Sequence, residues 1–356
     1  MTRTPDTKRL RILILFGGRS DEHEVSILSA TNVMAAIDRA AFDPVPVYVA
    51  RDGVWRLSDF VDGALSLPVA GAAICPVPGG RGQVVCLDGS ALAPVDAIFP
   101  VLHGQWGEDG AVPGVAAVAQ IPLVGCGILG SANALDKEMA KRLLAGAGLP
   151  VARAVTLRAD APVAFEVLAQ ELGLPFFLKP ATQGSSVGVG KVSNAVEYHE
   201  VLERGFALDR KMLAEAFVAG REVECAVLEE ADGTLIVSRP GEIVPGAGHA
   251  FYTYDAKYID ADGADLRVPA DLPEAQEAHI RARAAEAFRA VGCDGMARVD
   301  FFLLPDGALI VNELNTIPGF TDVSMYAKVM AVSGVPYGEV ISRLIAHGIA
   351  RFQAGG

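Results

Sequence analysis

Positive charge is scarce in this chain. Lysine and arginine number 30 against 43 aspartates and glutamates, leaving a formal charge of −13 over 356 residues. No basic run is long enough to track a phosphate backbone, which argues against a nucleic-acid partner, although a local Lys/Arg cluster could meet a small anion. Cysteine is also sparse: Cys75, Cys86, Cys126, Cys225 and Cys293 are scattered and odd in number. No pair has the close spacing of a zinc site or a redox dithiol, so reduced, mostly buried thiols are expected. Long apolar runs are missing too. The basic stretch 1–11 precedes only residues 12–16, too short for a signal-peptide core, and no other segment reaches membrane-spanning length unbroken. A cytoplasmic protein is the expectation.

What the chain does have is apolar bulk, with 51% hydrophobic residues alongside 38 glycines and 21 prolines. That profile belongs to a compact protein with large cores, and the length predicts two or three packed units. Residues 11–16 read as a buried parallel strand ending at Gly17-Gly18, followed by a helix from near Glu22 capped by Ser20 or Asp21. Residues 45–50 form a second strand, 64–94 a peripheral hairpin insertion, and 96–102 a strand running into a glycine-rich loop at His103. The alternation predicts an open α/β sheet, Rossmann-like, with functional loops at the carboxyl ends of its strands. A second unit begins near Cys126, with one helix over 133–146 carrying Lys137 and Lys141 on one face. Strands follow at 154–157, 176–179, 188–192, 212–217 and 223–228, with a helix over 194–204. A polar loop at 246–265 and a helix over 273–291 precede strands 297–304 and 308–315. The units are expected at 1–125, 126–215 and 216–356.

The most informative local pattern is Arg298-Val-Asp300, then Pro305-Asp306-Gly307, then Asn312-Glu313-Leu-Asn315. Pro-Asp-Gly between two apolar runs is a strong turn signal. If the hairpin is regular, with Asp306 and Gly307 at its tip, Asp300 opposes Glu313 and Arg298 opposes Asn315. All four polar groups then share one face. Opposed carboxylates repel unless something positive lies between them, and a few oxygen ligands supplemented by phosphate suit magnesium. The bland alternative is that Arg298 merely pairs with the acids on a solvated face. It leaves Asn315 and the wholly apolar opposite face (Val299, Phe301, Leu314) unexplained.

Upstream, Phe176-Phe-Leu-Lys179-Pro180 precedes Gln183-Gly-Ser-Ser-Val-Gly-Val-Gly190-Lys191. The glycines let backbone approach phosphate, and Ser185 and Ser186 add donors. The spacing is not that of a P-loop, and the segment lies between two strands, so a flap over phosphates fits better. Lys179 ends an apolar strand, where a lysine needs an anionic partner. Lys137 alone would read as a solvated helix residue; with Lys179, the flap and the acids, it completes the parts of an ATP–magnesium site.

Six segments in order resemble the D-alanine–D-alanine ligase family of the ATP-grasp superfamily. They are Gly17-Gly-Arg-Ser-Asp-Glu22-His-Glu-Val-Ser26, His103-Gly-Gln-Trp-Gly-Glu-Asp-Gly110, Lys179-Pro-Ala-Thr-Gln-Gly-Ser-Ser-Val-Gly188, Tyr254-Asp-Ala-Lys-Tyr258, Ala297-Arg-Val-Asp300 and Asn312-Glu-Leu-Asn-Thr-Ile-Pro-Gly319. The resemblance implies an N-terminal Rossmann-like α/β domain followed by a two-part ATP-grasp fold. It implies joining of two D-alanines through an acyl phosphate for peptidoglycan precursors, in a cytoplasmic homodimer. Lys137, Lys179, Ser186 and Lys257 would contact ATP phosphates. Glu215 would meet the adenine through its carboxylate or a nearby carbonyl, Phe217 and Val218 would wall the nucleotide, and Glu222 would hold the ribose. Asp300, Glu313 and Asn315 would hold two Mg2+ ions, replaceable by Mn2+. Glu22 would bind the first D-alanine's ammonium, with His103 near the reacting carboxylate. Ser324 and Met325 would meet the second D-alanine, and Arg298 and Gly319 the oxyanion. Tyr258 would join Glu22 and Ser185 to lock a lid; it also marks the dipeptide branch over a D-alanine–D-lactate ligase, while Glu22 with Ser324 argues against another carboxylate–amine ligase with different substrates.

Overall fold

A computed structural model describes residues 9–90, 92–245 and 264–355. Lys257 and Tyr258, and with them the expected lid, lie outside the described residues. Strand β1 (Leu10–Gly17) shows how the first unit is layered. Ile12, Ile14 and Phe16 enter one core and Leu13 and Leu15 another, all fully buried, because strand side chains alternate between faces. Helix α1 (His23–Ala36) follows, then β2 (Phe42–Val49) and β3 (Trp55–Leu57). Two small hairpins, β4–β5 (Phe60–Val61, Ala64–Leu65) and β6–β7 (Ile74–Pro76, Val84–Cys86), lie in and beside the expected insertion. Strand β8 (Ala97–Pro100) then completes a sheet of order β3-β2-β1-β8, with β1 parallel to both neighbours. Parallel neighbours end together, so the loops after β1 and β8 emerge side by side.

The cap of α1 differs from expectation. The helix starts after Glu22 with no side-chain cap; Ser20 Oγ accepts from the Glu22 N–H at 3.3 Å, one residue before the helix, and donates to the His103 carbonyl at 2.6 Å. Helix α2 (Ala111–Ala119) carries Pro113 in its first turn, where the missing N–H costs nothing. The single helix expected over 133–146 is two, α3 (Ile128–Leu135) and α4 (Lys137–Gly146). Asp136 breaks them with an extended ψ of 100°, and its carboxylate accepts from the Glu138 and Met139 N–H groups that start α4.

The central sheet holds β9 (Ala154–Arg158), β10 (Phe176–Pro180), β11 (Gly190–Val192) and β12 (Lys211–Ala216) in the antiparallel order β11-β10-β12-β9. Helices α5 (Phe165–Leu172) and α6 (Ala195–Leu208) cover it through Leu168, Leu172, Tyr198 and Val201. The third sheet contains β13 (Arg221–Glu229), β14 (Leu235–Val237), β15 (Gly241–Pro245) and β16 (Ala264–Arg267). After helix α7 (Glu274–Val291) it continues with β17 (Met296–Leu303) and β18 (Leu309–Asn315). Its order is β16-β15-β13-β17-β18, with β14 on β13. Alternation along β13 again builds two cores: Val223, Cys225 and Val227 meet α7, whereas Ala226 and Leu228 face the first unit.

Helices α8 (Met325–Val332) and α9 (Tyr337–Ala354) fill the space between the first and third sheets. Tyr326, Val329 and Leu344 share one core with Ile12 and Phe16. The residues that follow the first unit pack with the third sheet. Cys126, Ala134, Leu144 and Leu149 join the core of the third sheet, not that of the central one. There Cys126 and Cys293 lie in one core as free thiols, a proximity that sequence spacing could not show. Among the described residues no single helix is long and apolar enough to cross a membrane.

The β17–β18 hairpin is not regular as expected. Its tip is a three-residue turn, Pro305-Asp306-Gly307, closed by Leu304 N–H to Ala308 O at 2.9 Å, with Gly307 at φ +87°. That shifts the register by one residue, and an irregularity between Asp300 and Phe301 shifts it back. Asp300 therefore still opposes Glu313, and Arg298 still opposes Asn315. Two departures cancel.

Gly348, inside α9, packs closely against backbone of the first unit. A Cβ there would lie 2.4 Å from the Leu123 carbonyl oxygen. Alanine in a helix interior is ordinarily better than glycine by about 1 kcal/mol, but backbone cannot yield as a side chain can. Gly348→Ala is expected to destabilise the fold by about 1–3 kcal/mol in urea titration; a stabilised variant would show that this contact is not tight.

Candidate active site

Three carboxylates stand in a row across adjacent strands. Glu224 on β13 opposes Asp300 on β17, which opposes Glu313 on β18. Like charges so placed repel, and cations hold them. Arg298 binds both Asp300 oxygens at 2.7 Å and reaches Glu224 at 3.0 Å. Burial works against the guanidinium's charge, but Asp300 and Glu224 outweigh it and keep it protonated. The Asn315 amide donates to Asp300 at 3.1 Å, and Lys137 lies 3.9 Å from Glu313. Arg298 thus pairs with the acids, as the bland reading expected, but inside the protein and not on a solvated face: the Arg298 and Asp300 side chains are 16% and 11% exposed.

Lysines form a second set. Lys137 opens α4 and donates to the Gln183 carbonyl at 2.6 Å; Lys141, one turn later, reaches Glu215 at 2.6 Å. Lys179 meets the other Glu215 oxygen at 2.5 Å. Burial pushes the Glu215 carboxyl up, but the two lysines overcome this and hold it at about 2. Burial pushes Lys141 down, and nearby Lys179 adds to that; Lys179 itself is raised, Glu215 outweighing its desolvation. The Glu215 carboxylate is therefore filled by lysines. Of the two contacts expected for adenine, the backbone carbonyl is the one left free of this pairing.

The loops after β1 and β8 supply a third set. Glu22 accepts from the Ser185 hydroxyl of the segment between β10 and β11. A Cβ on Gly184 would sit 2.6 Å from a Glu22 oxygen, so glycine permits this approach. Ser185 and Ser186 both adopt left-handed φ, +47° and +60°. Such backbone costs about 1–3 kcal/mol per residue and concentrates at functional sites.

His103 is buried, and burial pushes its imidazole towards the neutral form. Nδ1 lies 2.9 Å from the Ile317 carbonyl, which can only accept, so Nδ1 carries the proton. Nε2, 3.0 Å from Ser29 Oγ, is then the acceptor. Both ring nitrogens are used within the protein, which makes His103 a positioning group for the Ile317 peptide. Glu108 holds the other backbone group of the same residue, accepting from the Ile317 N–H at 3.0 Å, and it also accepts from the Gly104 N–H at 2.7 Å. Burial, with Glu22 nearby, pushes its carboxyl up to about 8.

These sets line two adjoining cavities of about 520 and about 480 Å3. The first brings together Lys137, Lys179, Ser186, Glu215, Phe217, Val218, Glu222, Asp300 and Glu313. Phe217 is half exposed there, an apolar ring 6.1 Å from that of Phe177. The second brings together Glu22, His103, Arg298, Gly319, Ser324, Met325 and Asn315. Ser185, Lys137 and Glu313 line both. Every expected site residue among those described faces one cavity or the other.

Sequence reasoning assigned no role to Lys141, Glu108 or Glu224. The signal for Glu224 was a carboxylate inside the apolar run Val223–Leu228; for Lys141 it was the four-residue spacing from Lys137. In the first cavity six carboxylates, Glu215, Glu222, Glu224, Glu242, Asp300 and Glu313, face Lys137, Lys179 and Arg221. A polyphosphate entering there adds negative charge, so divalent cations fit the donor set. Among the described residues no three of His, Cys, Asp and Glu converge on one point. That suits magnesium, which is held by one or two carboxylates together with phosphate rather than by a protein cage.

Comparison with known proteins is consistent along the whole chain. A family model described as the D-ala D-ala ligase N-terminus matches residues 11–126, and one described as the D-ala D-ala ligase C-terminus matches residues 143–346. The chain is 60% identical to D-alanine–D-alanine ligase A of Brucella melitensis biotype 1, covering 96% of this chain and 98% of that protein. It is 54% identical to D-alanine–D-alanine ligase A of Mesorhizobium japonicum, covering 98% and 99%. Among solved structures it resembles the D-alanine–D-alanine ligase from Coxiella burnetii, with TM-score 0.85 and 32% identity over 98% of this chain and 96% of that one. It also resembles the VanG D-Ala:D-Ser ligase from Enterococcus faecalis, with TM-score 0.82 and 32% identity over 96% and 100%.

The Lys141–Glu215–Lys179 cluster yields a stability test. Glu215→Gln leaves two buried ammoniums uncompensated and is expected to cost about 3–5 kcal/mol at pH 7. A depressed carboxyl contributes stability that is present above its unfolded value of 4.5 and lost as pH falls towards about 2. Urea titrations should therefore show wild type and variant converging between pH 4.5 and 2. A gap independent of pH over that window would refute the charge assignment.

Proposed function

This chain belongs to the D-alanine–D-alanine ligase family, and from that premise we propose how its two cavities divide the joining of two D-alanines. The enzyme is an ATP-dependent ligase that makes D-alanyl-D-alanine for peptidoglycan. The single observation carrying the assignment is that the two cavities share Lys137, Ser185 and Glu313. A nucleotide in one then presents its terminal phosphate to a substrate in the other.

In this reading ATP lies in the first cavity, its base against Phe217 and Val218 and its ribose on Glu222. Lys137, Lys179 and Ser186 meet the phosphates, the lysines offsetting charge that repels an incoming carboxylate. Two Mg2+ ions, held by Asp300, Glu313 and Asn315, would supply further neutralisation of the polyphosphate. Glu22 orients the first D-alanine through its ammonium. The carboxylate oxygen of that D-alanine bonds to the γ-phosphorus, the bond to ADP breaks, and an acyl phosphate results. The second D-alanine, held by Ser324 beside Met325, attacks the acyl carbon with its amine. Arg298 and the Gly319 N–H hold the tetrahedral oxyanion; phosphate departs and the amine loses its proton. His103 and Glu108 fix the backbone of Ile317 and through it the Gly319 loop.

The backbone does not choose the second substrate, since a D-Ala:D-Ser ligase shares it closely. The 60% identity to a D-alanine–D-alanine ligase supports D-alanine. Mass spectrometry of products from ATP with D-alanine, alone and mixed with D-serine or D-lactate, is expected to show mainly D-alanyl-D-alanine; a predominant mixed product would overturn this choice. Glu313→Gln should lower kcat by at least about a hundredfold and weaken Mn2+ binding in calorimetry, with circular dichroism unchanged. Near-normal turnover in that variant would be incompatible with a metal ligand at 313.

A further inference from the structure

We propose that Lys328 is a specificity-determining residue of the second subsite, where its ammonium neutralises the carboxylate of the acceptor amino acid. The inference rests on the functional reading above and extends it. It begins from a charge account of the second cavity. The cations lining it are Lys137, Arg298 and Lys328. In that reading Lys137, beside the Gln183 carbonyl and Glu313, serves the phosphates, and Arg298, on Asp300 and Glu224, serves the oxyanion. Lys328 makes no side-chain hydrogen bond or ion pair among the described residues, although it is half-buried at the cavity wall.

Its place on α8 aims it at the acceptor. Ser324 immediately precedes the helix, and the Lys328 N–H donates to the Ser324 carbonyl at 3.0 Å, one full turn apart. Residues four apart lie on one helix face, and helical side chains lean towards the N-terminus. Lys328 therefore leans towards Ser324, whose hydroxyl is fixed by the Thr321 N–H at 3.1 Å and the Thr321 hydroxyl at 2.7 Å. A hydroxyl alone can hydrogen-bond a carboxylate but cannot balance its charge, and the acidic residues that line the cavity, Glu22, Glu108, Glu224 and Glu313, supply no positive charge. A free ammonium on the same face supplies what is missing. The class of acceptor selected is one bearing an α-carboxylate.

Initial rates of ADP release at varied D-alanine separate the two subsites. Lys328→Met should raise KM for the second D-alanine about tenfold, the size of one lost charge-assisted contact, with kcat and KM for ATP unchanged. Lys328→Arg should restore most of the loss. D-alaninamide, an acceptor without the carboxylate, should be used equally by wild type and Lys328→Met. An active wild type whose Lys328→Met form keeps its second-site KM within twofold, or loses equally with D-alaninamide, overturns the lysine assignment alone. A wild type that forms no dipeptide from D-alanine overturns the functional reading itself, and the inference with it.

Discussion

Holding like charges close together is the constraint on which this structure depends. Glu224, Asp300 and Glu313 face one another on three neighbouring strands. Such a row survives inside a protein only if cations hold every member, because an uncompensated buried charge costs several kcal/mol. Arg298 holds Asp300 and Glu224, and Lys137 lies beside Glu313, while Lys141 and Lys179 hold the neighbouring Glu215. The site is thereby a joint: the helix of Lys137 and Lys141, the central sheet of Lys179 and Glu215, and the third sheet of Arg298 are tied by charge.

A second tie is made by shape. The Glu22 carboxylate from the first unit reaches the Ser185 hydroxyl between two strands of the central sheet, and the absence of a side chain at Gly184 makes room for it. The serines bear the strain of left-handed backbone. His103 and Glu108, from the loop after β8, hold the loop that follows β18 by the carbonyl and the N–H of one residue, Ile317. Residues far apart in sequence thus set the distance between the two cavities, and a phosphoryl transfer between them depends on that distance.

The hairpin that presents the acids shows how a correct expectation can rest on an incorrect geometry. A regular two-residue tip was expected; the chain uses a three-residue turn with Gly307 in the left-handed region, and the irregularity after Asp300 restores the pairing. Turn length is not encoded in the alternation of apolar residues, whereas the demand that Val299, Phe301 and Leu314 all enter one core is. Burial fixed the register, and the turn adapted. The split of 133–146 into two helices has a similar origin. Asp136 is unremarkable within a helical pattern, but its side chain can cap the second helix once Lys137 must face the site.

By itself, the sequence determined the α/β class, most strands, the paired acids and the six segments that resemble one ligase family, because apolar periodicity and motif chemistry are local. It could not reveal that α8 and α9 share a core with β1, that residues 126–149 pack with the third sheet, or that Cys126 and Cys293 lie in one core. Nor could it show that Glu215 is filled by lysines, that both His103 nitrogens are taken, or that Lys328, unpaired among the described residues, lies at a cavity wall. Those are contacts between side chains tens to hundreds of residues apart. Which partner satisfies a buried charge is decided by where the units dock, and only the tertiary structure contains that.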